Sequence, residues 1–418
     1  YINIKFQDEI RAKKPAGIYW LQAFSAKIFG SENILSYRIP SLIAAFICIA
    51  VIWYFSKSIF GRDSSELITL LFASNILFVT EAHIGKTDTF LLSTICLQQL
   101  LLFLIYLNKN LNFYSKYVLP SFMWFFISIG ILIKGPVSIL IFCLTISSFA
   151  ILQRNVSIFF KIKPLIGIIV ICLIVLPWVI LIQSSTNGLF FQKAIMEDFF
   201  AKLISGQESH FGYPGYYLLI TPLILWPIAS FLPISVLFIL KNKRNLAIKF
   251  LLCWIIPFWI IIEFVPTKLF HYPLPIIPAI VMIIAASIIY FEKNEIIIKS
   301  EKNKYLIFFI SLFFGLGGIG LSLALFYLSI NFSEPKDLTL YFIVFANFFL
   351  CLLVFLITAY KNFLIIFQSK PFSNFTKVFL KPKIIIILSS LFYIGVFGFM
   401  LPNLKKLYPS SMIFNELK

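Results

Sequence analysis

The sequence predicts an all-α polytopic membrane protein, a bundle of about twelve transmembrane helices, and three observations carry that prediction. The chain of 418 residues is 60% hydrophobic and only 12% charged, where a soluble domain carries about 25% charged residues. Its apolar residues fall in separate stretches, each close to the ~20 residues that cross a bilayer. Its Lys and Arg residues gather in the short segments between those stretches, as they do in the cytoplasmic loops of membrane proteins.

Taken in order, the stretches are 38–60, 66–84, 89–107, 117–133, 136–152, 164–183, 216–240, 246–265, 272–291, 305–330, 338–360 and 383–401. Between the fourth and fifth, Lys134, Gly135 and Pro136 must form a tight turn that reverses the chain. With the N-terminus outside, the loops after the odd-numbered spans hold 20 of the 35 basic residues but 5 of the 17 acidic ones. The positive-inside rule favours that orientation. Two outside segments exceed simple turns. Residues 1–37 include an amphipathic stretch, 18–29, suited to lying along the outer interface. Residues 184–215 form a polar loop of the length that usually serves as a lid or binding segment. The whole reads as one domain, 1–418, without an internal repeat, and both ends look cut.

The formal charge of +18 does not point to nucleic acid, because the basic residues form loop clusters rather than a basic face. Cys48, Cys96, Cys143, Cys172, Cys253 and Cys351 each sit in a different apolar stretch. That pattern gives neither a disulfide framework nor zinc spacing. Expected partners are therefore membrane lipids and something at the membrane surface.

The polar groups that could do chemistry collect at the outside edge. Lys13 and Lys14 precede Pro15; Glu81, His83, Lys86 and Asp88 close the second span; Lys134 follows the fourth; Lys268, His271 and Tyr272 follow the eighth. Any one lysine here could simply snorkel. As a set they run against the charge bias of the chain, and several lysines at headgroup depth suit a lipid phosphate. Asp88 stands at a helix start, where it could cap free N–H groups, face a pocket, or do both. No cofactor is called for. His83, His210 and His271 are too scattered to support a divalent metal.

Several short motifs then line up. Lys14-Pro15-Ala16-Gly17-Ile18-Tyr19-Trp20-Leu21-Gln22 resembles a "KPPxYYWLQ" segment, and Arg38-Ile39-Pro40-Ser41 resembles "R-[LI]-P-S". Phe60-Gly61-Arg62, Lys86-Thr87-Asp88, Lys134-Gly135-Pro136 and Leu176-Pro177-Trp178 are similar to "FGR", "RTD", "KGP" and "LPW". Thr267-Lys268-Leu269-Phe270-His271-Tyr272-Pro273-Leu274-Pro275 resembles "SKLPxYxLP". Each is weak alone, but the ordered set resembles the bacterial lipid A aminoarabinose transferases and protein O-mannosyltransferases, glycosyltransferases of the GT-C membrane fold.

The resemblance implies a membrane glycosyltransferase of the bacterial inner membrane with its active face outside the cytoplasm. A sugar on a polyprenyl phosphate would pass, with inversion, to an acceptor hydroxyl on lipid A, a glycan or a protein. It implies Asp88 as a supporting catalytic carboxylate and Lys14, Lys86, Lys134 and Lys268 as contacts to the donor phosphate. Tyr272 and His271 would line the donor pocket, and 184–215 would be the lid. The family's principal carboxylate lies upstream of the KP motif, so the chain as it stands is expected to be inactive; Asp8 and Glu9 do not replace it. Some relatives hold a metal through a Glu before the KP lysine, where this chain has Lys13. The competing reading is a transporter or lipid flippase. Transporters show repeated halves and a ligand site near the bilayer midplane, whereas here the polar groups lie at one face. A third reading, an O-antigen ligase or polymerase, would want a large outside loop rich in Arg and His, and 184–215 has one His and no Arg.

Overall fold

The structure, a computed structural model, describes residues 2, 4–6, 9–11, 14–108, 112–194, 210–294, 300–333, 338–367, 382–404 and 406. Lys13 and Asp8, several loop lysines and 195–209 of the expected lid lie outside the described residues. Helices occupy all twelve apolar stretches, and among the described residues nine are long and apolar enough to cross a membrane. The expected all-α character has one small departure, a two-residue antiparallel pairing of Lys5–Phe6 with Glu9–Ile10.

The chain begins with α1 (Gly17–Phe29), over the stretch expected to be amphipathic, and the long α2 (Ile34–Phe60). Asn33 caps α2 by accepting from the Leu35 N–H at 2.9 Å. Gly61, at φ 83°, stops it in a conformation that L side chains disfavour. Then come α3 (Arg62–Ala73), α4 (Ile76–Ala82), α5 (Asp88–Leu107), α6 (Leu119–Lys134) and α7 (Val137–Gln153). Gly135, at φ 66°, makes the reversal between α6 and α7. At 17 residues α7 is short for a span but within the range that still crosses.

Two expected spans are broken. Residues 66–84 are α3 and α4, meeting at 62°, and 216–240 are Tyr216–Ile224 and Ala229–Lys241, meeting at 119°. Pro227, which has no N–H, cannot continue the second of these. The freed backbone groups find partners in each other: the Asn75 amide donates to Ile224 O at 2.9 Å, and Ile76 N–H donates to Trp226 O at 3.0 Å. Broken helices in a membrane survive only with such partners.

Contacts divide the chain into two compact units. One holds 1–72, 77–218 and 242–283. Its interior is an aromatic cluster of Phe55, Phe103, Phe149, Phe250 and Trp254 with ring centroids 5.0–6.3 Å apart. Gln98 and Gln99 of α5 are bound to Ser138 and Thr145 of α7. Gly130 lets α6 close on both, since a Cβ there would meet Ser138 Oγ at 2.3 Å and Thr94 Oγ1 at 3.0 Å; small residues permit such approach in lipid, where packing drives association. The other unit holds 73–76, 219–241 and 284–418. There Trp226 packs on Phe392 and Tyr393, Tyr393 donates to Ser74 O at 2.6 Å, and buried Lys361 pairs with Glu292.

Candidate functional site

Alternation of the helices in the first unit puts 14–37, 81–88, 134–137 and 265–273 at one end of that unit. The connector 83–87 is tied down there: Gln22 Nε2 donates to Gly85 O at 2.9 Å and Ser41 Oγ to Lys86 O at 3.3 Å. Gly85 is required by the close approach, for a Cβ would lie 2.8 Å from Tyr37 O. That anchoring fixes where α5 starts, and α5 starts with Asp88.

Asp88 is buried, 5% exposed, and its carboxylate does not cap the helix. Oδ1 instead accepts from Lys134 Nζ at 2.5 Å, and Thr87 Oγ1 donates to Oδ2 at 3.4 Å. Each partner has a helix dipole behind it: an acid in the first turn of α5 and a base in the last turn of α6 are both favoured positions. Lys14 Nζ reaches Thr87 Oγ1 at 3.4 Å. His271 Nε2 lies 3.7 Å from Asp88 Oδ1, too far for a hydrogen bond. Burial pushes the His271 pKa down to about 4; Asp88 opposes that shift, and Lys134, Lys86 and Lys14 reinforce it. The imidazole is therefore neutral at neutral pH. Tyr272 stacks edge-on against His271 with centroids 5.4 Å apart, and Lys134 Nζ lies 6.0 Å from the Tyr272 ring.

Five of the seven residues singled out in the sequence thus meet: Asp88, Lys134, His271, Tyr272 and, through Thr87, Lys14. The other two differ. Lys86 is exposed at the rim, within electrostatic reach of His271. Lys268 is 4% exposed, and its ammonium donates to Glu263 O at 2.6 Å and Ile262 O at 2.9 Å, the last carbonyls of the Leu246–Phe264 helix. Its Nζ also sits 5.2 Å from the Tyr217 ring centroid. Burial lowers its pKa, with Glu263 opposing. In this arrangement its charge caps a helix end.

Sequence reasoning missed two participants. Thr87 was read only as the middle of a motif, yet it bridges Lys14 to Asp88. The other is Glu263, near the end of the eighth span. Its carboxylate accepts the N–H groups of Gly215, Leu218 and Tyr217 at 2.9, 3.0 and 3.4 Å, so it caps the Tyr216–Ile224 helix. An acid whose backbone partners lie 45–48 residues earlier in the chain carries no local signal. Among the described residues no cluster of three or more His, Cys, Asp or Glu could hold a metal ion. A surface hollow lined by Ala150, Arg154, Val156 and Phe159 lies at the far end of α7, away from Asp88.

Comparison with known proteins agrees with the motifs. Residues 13–181 match the family described as dolichyl-phosphate-mannose-protein mannosyltransferase. A protein of Aquifex aeolicus (strain VF5), described as uncharacterized, is 24% identical over 315 residues, covering 74% of this chain and 58% of that relative. The chain thus spans less than two thirds of the curated relative's length. The crystal structure of ArnT from Cupriavidus metallidurans bound to undecaprenyl phosphate matches with a TM-score of 0.71 at 15% identity. It covers 94% of this chain and 68% of that one. The apo state of the same protein matches at 0.69 and 16%, covering 94% and 67%. At such identity the likeness establishes the fold: a GT-C-like helical membrane protein that crosses the bilayer many times.

Proposed function

We propose that this protein is a membrane glycosyltransferase that moves a sugar from a polyprenyl-phosphate donor to a hydroxyl acceptor with inversion at the anomeric carbon. The observation that carries the reading is the meeting of Asp88, Lys134, Lys14 and neutral His271 at one end of one unit, largely within the stretch that matches the family. Lys14, Lys134 and, from the rim, Lys86 hold the lipid phosphate. They stabilise the charge that grows on it as the sugar leaves, the type of contribution that dominates many active sites. Asp88 holds Lys134 in place and orients the acceptor side, while Tyr272 lines the donor pocket. Residues 184–215 act as the lid. The active end faces outward from the inner membrane of a bacterium, and lipid A, a glycan or a protein supplies the hydroxyl. The polar groups gathered at one end, rather than at mid-membrane, favour this reading over a transporter.

The test is transfer of a labelled sugar from undecaprenyl phosphate in membranes that express the complete gene. The expected result is transfer above that of membranes lacking the protein, lowered about a hundredfold or more by Asp88→Asn at unchanged expression. Equal label transfer with and without the protein would count against the proposal.

A further inference from the structure

One charged group at this end is used by nothing described so far. Glu81, in the last turn of α4, is 5% exposed. Among the described residues its Oε2 is buried without a hydrogen-bond partner. A carboxylate so placed is costly unless paired or neutral. It lies within electrostatic reach of Asp88, Lys86, Lys134 and Lys14, the groups that hold the phosphate in the reading above. His83 stands two residues on, with its Nδ1 2.8 Å from Val79 O, and His271 faces Asp88.

The charges around Glu81 can be set against those of the ligand. Three lysines facing two ionised carboxylates leave the cluster at +1, with His271 neutral. A polyprenyl-phosphate sugar is a phosphodiester and carries one negative charge, so it matches that cluster. Once the sugar has left, the lipid is a phosphate monoester carrying about −1.5 to −2 charges at neutral pH. The cluster then falls short by about one positive charge, and protonating Glu81 would raise it to +2.

The reaction itself supplies that proton. The acceptor O–H bond breaks, its oxygen bonds to the anomeric carbon, and the carbon–oxygen bond to the phosphate breaks with its electron pair staying on the phosphate. One proton is left over for each sugar transferred.

We propose that Glu81 is the residue that takes up this proton, keeping the site charge-matched to its lipid phosphate before and after transfer. The inference rests on the polyprenyl-phosphate reading and deepens it. Glu81 is then a charge-compensating residue, ionised with donor bound and protonated with product bound. A merely structural glutamate would hold the same proton count in both states.

The experiment needs no acceptor and no sugar. Undecaprenyl phosphate is titrated calorimetrically into the purified protein at pH 7.5 in buffers of different ionisation heat, which gives the protons taken up per lipid bound. Wild type should take up close to one proton more than Glu81→Gln, so that the phosphate's own titration cancels. Glu81→Asp, which keeps a carboxylate, should restore the extra proton. Above neutral pH the wild-type Kd should weaken by up to about tenfold per pH unit, the slope of one coupled proton, and Glu81→Gln should flatten it. Equal proton uptake in wild type and Glu81→Gln, or an extra proton that Glu81→Asp fails to restore, overturns the inference and leaves the parent reading standing. Failure of wild type to bind undecaprenyl phosphate at all overturns both.

Discussion

Two neighbouring loops at one end of the same unit each carry a lysine beside an acid, and they spend those charges differently. In the first, Lys134 reaches across from α6 to the carboxylate of Asp88, with Lys14 close by through Thr87. In the second, Lys268 turns back onto the carbonyls of Ile262 and Glu263, while the Glu263 carboxylate takes the backbone N–H groups at 215–218. Every polar atom named in the second loop is bound to backbone. It is a clasp that closes two helix ends and supports the segment bearing His271 and Tyr272. The first loop pairs side chain with side chain, and another anion can enter such a pairing. What each ammonium touches separates the two loops.

That contrast can be broken or sharpened by substitution. The largest effect belongs to Asp88→Asn. Asn serves as well as Asp at a helix start, so α5 should form, but Lys134 loses its counter-charge. Loss of one electrostatic contact of this type costs about 2.7–4 kcal/mol in other active sites, so sugar transfer should fall about a hundredfold or more. Full activity in that variant would make Asp88 structural and erase the difference between the loops.

A smaller effect, and a different readout, belongs to the clasp. Lys268→Met keeps the apolar stem but strands two helix-end carbonyls. Hydrogen bonds to a charged group contribute about 1.5–3 kcal/mol, so the melting temperature should drop by several degrees. A variant as stable as wild type would show that the ammonium is not needed at that helix end.

A comparable effect, confined to acid, is one of pH. The folded-state pKa of His271, about 4, lies below the ordinary value of 6.5. The unfolded chain thus binds more protons between those values, and stability rises with pH across that window. It is complete above about pH 6.5 and is lost toward pH 4, by up to about 3 kcal/mol at ~1.4 kcal/mol per pKa unit. His271→Gln should remove that part of the acid sensitivity, measured as the change in melting temperature between pH 6.5 and 4. An unchanged acid sensitivity would place the imidazole in solvent.

Much of this was legible in the sequence, and the reasons are physical. Spans follow from unbroken apolar runs, because backbone in lipid must form helices. Their breaks did not follow. Pro227 signals an interruption, but the 119° bend also depends on Asn75 and Ile76, which meet the broken region from about 150 residues away. The same limit applies at the site. Helix alternation brings 88, 134 and 271 to one end, yet the partner of each lysine is fixed by a few ångströms of loop geometry. Lys134 and Lys268 look alike in sequence, each following a span and standing in a motif. Among the described residues, only the first is ion-paired with a carboxylate.

Equilibrium binding of undecaprenyl phosphate to the purified protein in lipid nanodiscs tests the central claim most directly, with Lys14→Ala and Lys268→Met compared side by side. If the phosphate sits at the Asp88 loop, Lys14→Ala loses a charge-assisted contact of about 1.5–3 kcal/mol, a Kd at least tenfold weaker at ~1.4 kcal/mol per decade. Lys268→Met should then bind within about threefold of wild type, which is roughly 0.7 kcal/mol on the same scale. The reverse order, with Lys268→Met losing affinity and Lys14→Ala keeping it, would move the phosphate to the clasp and contradict the account.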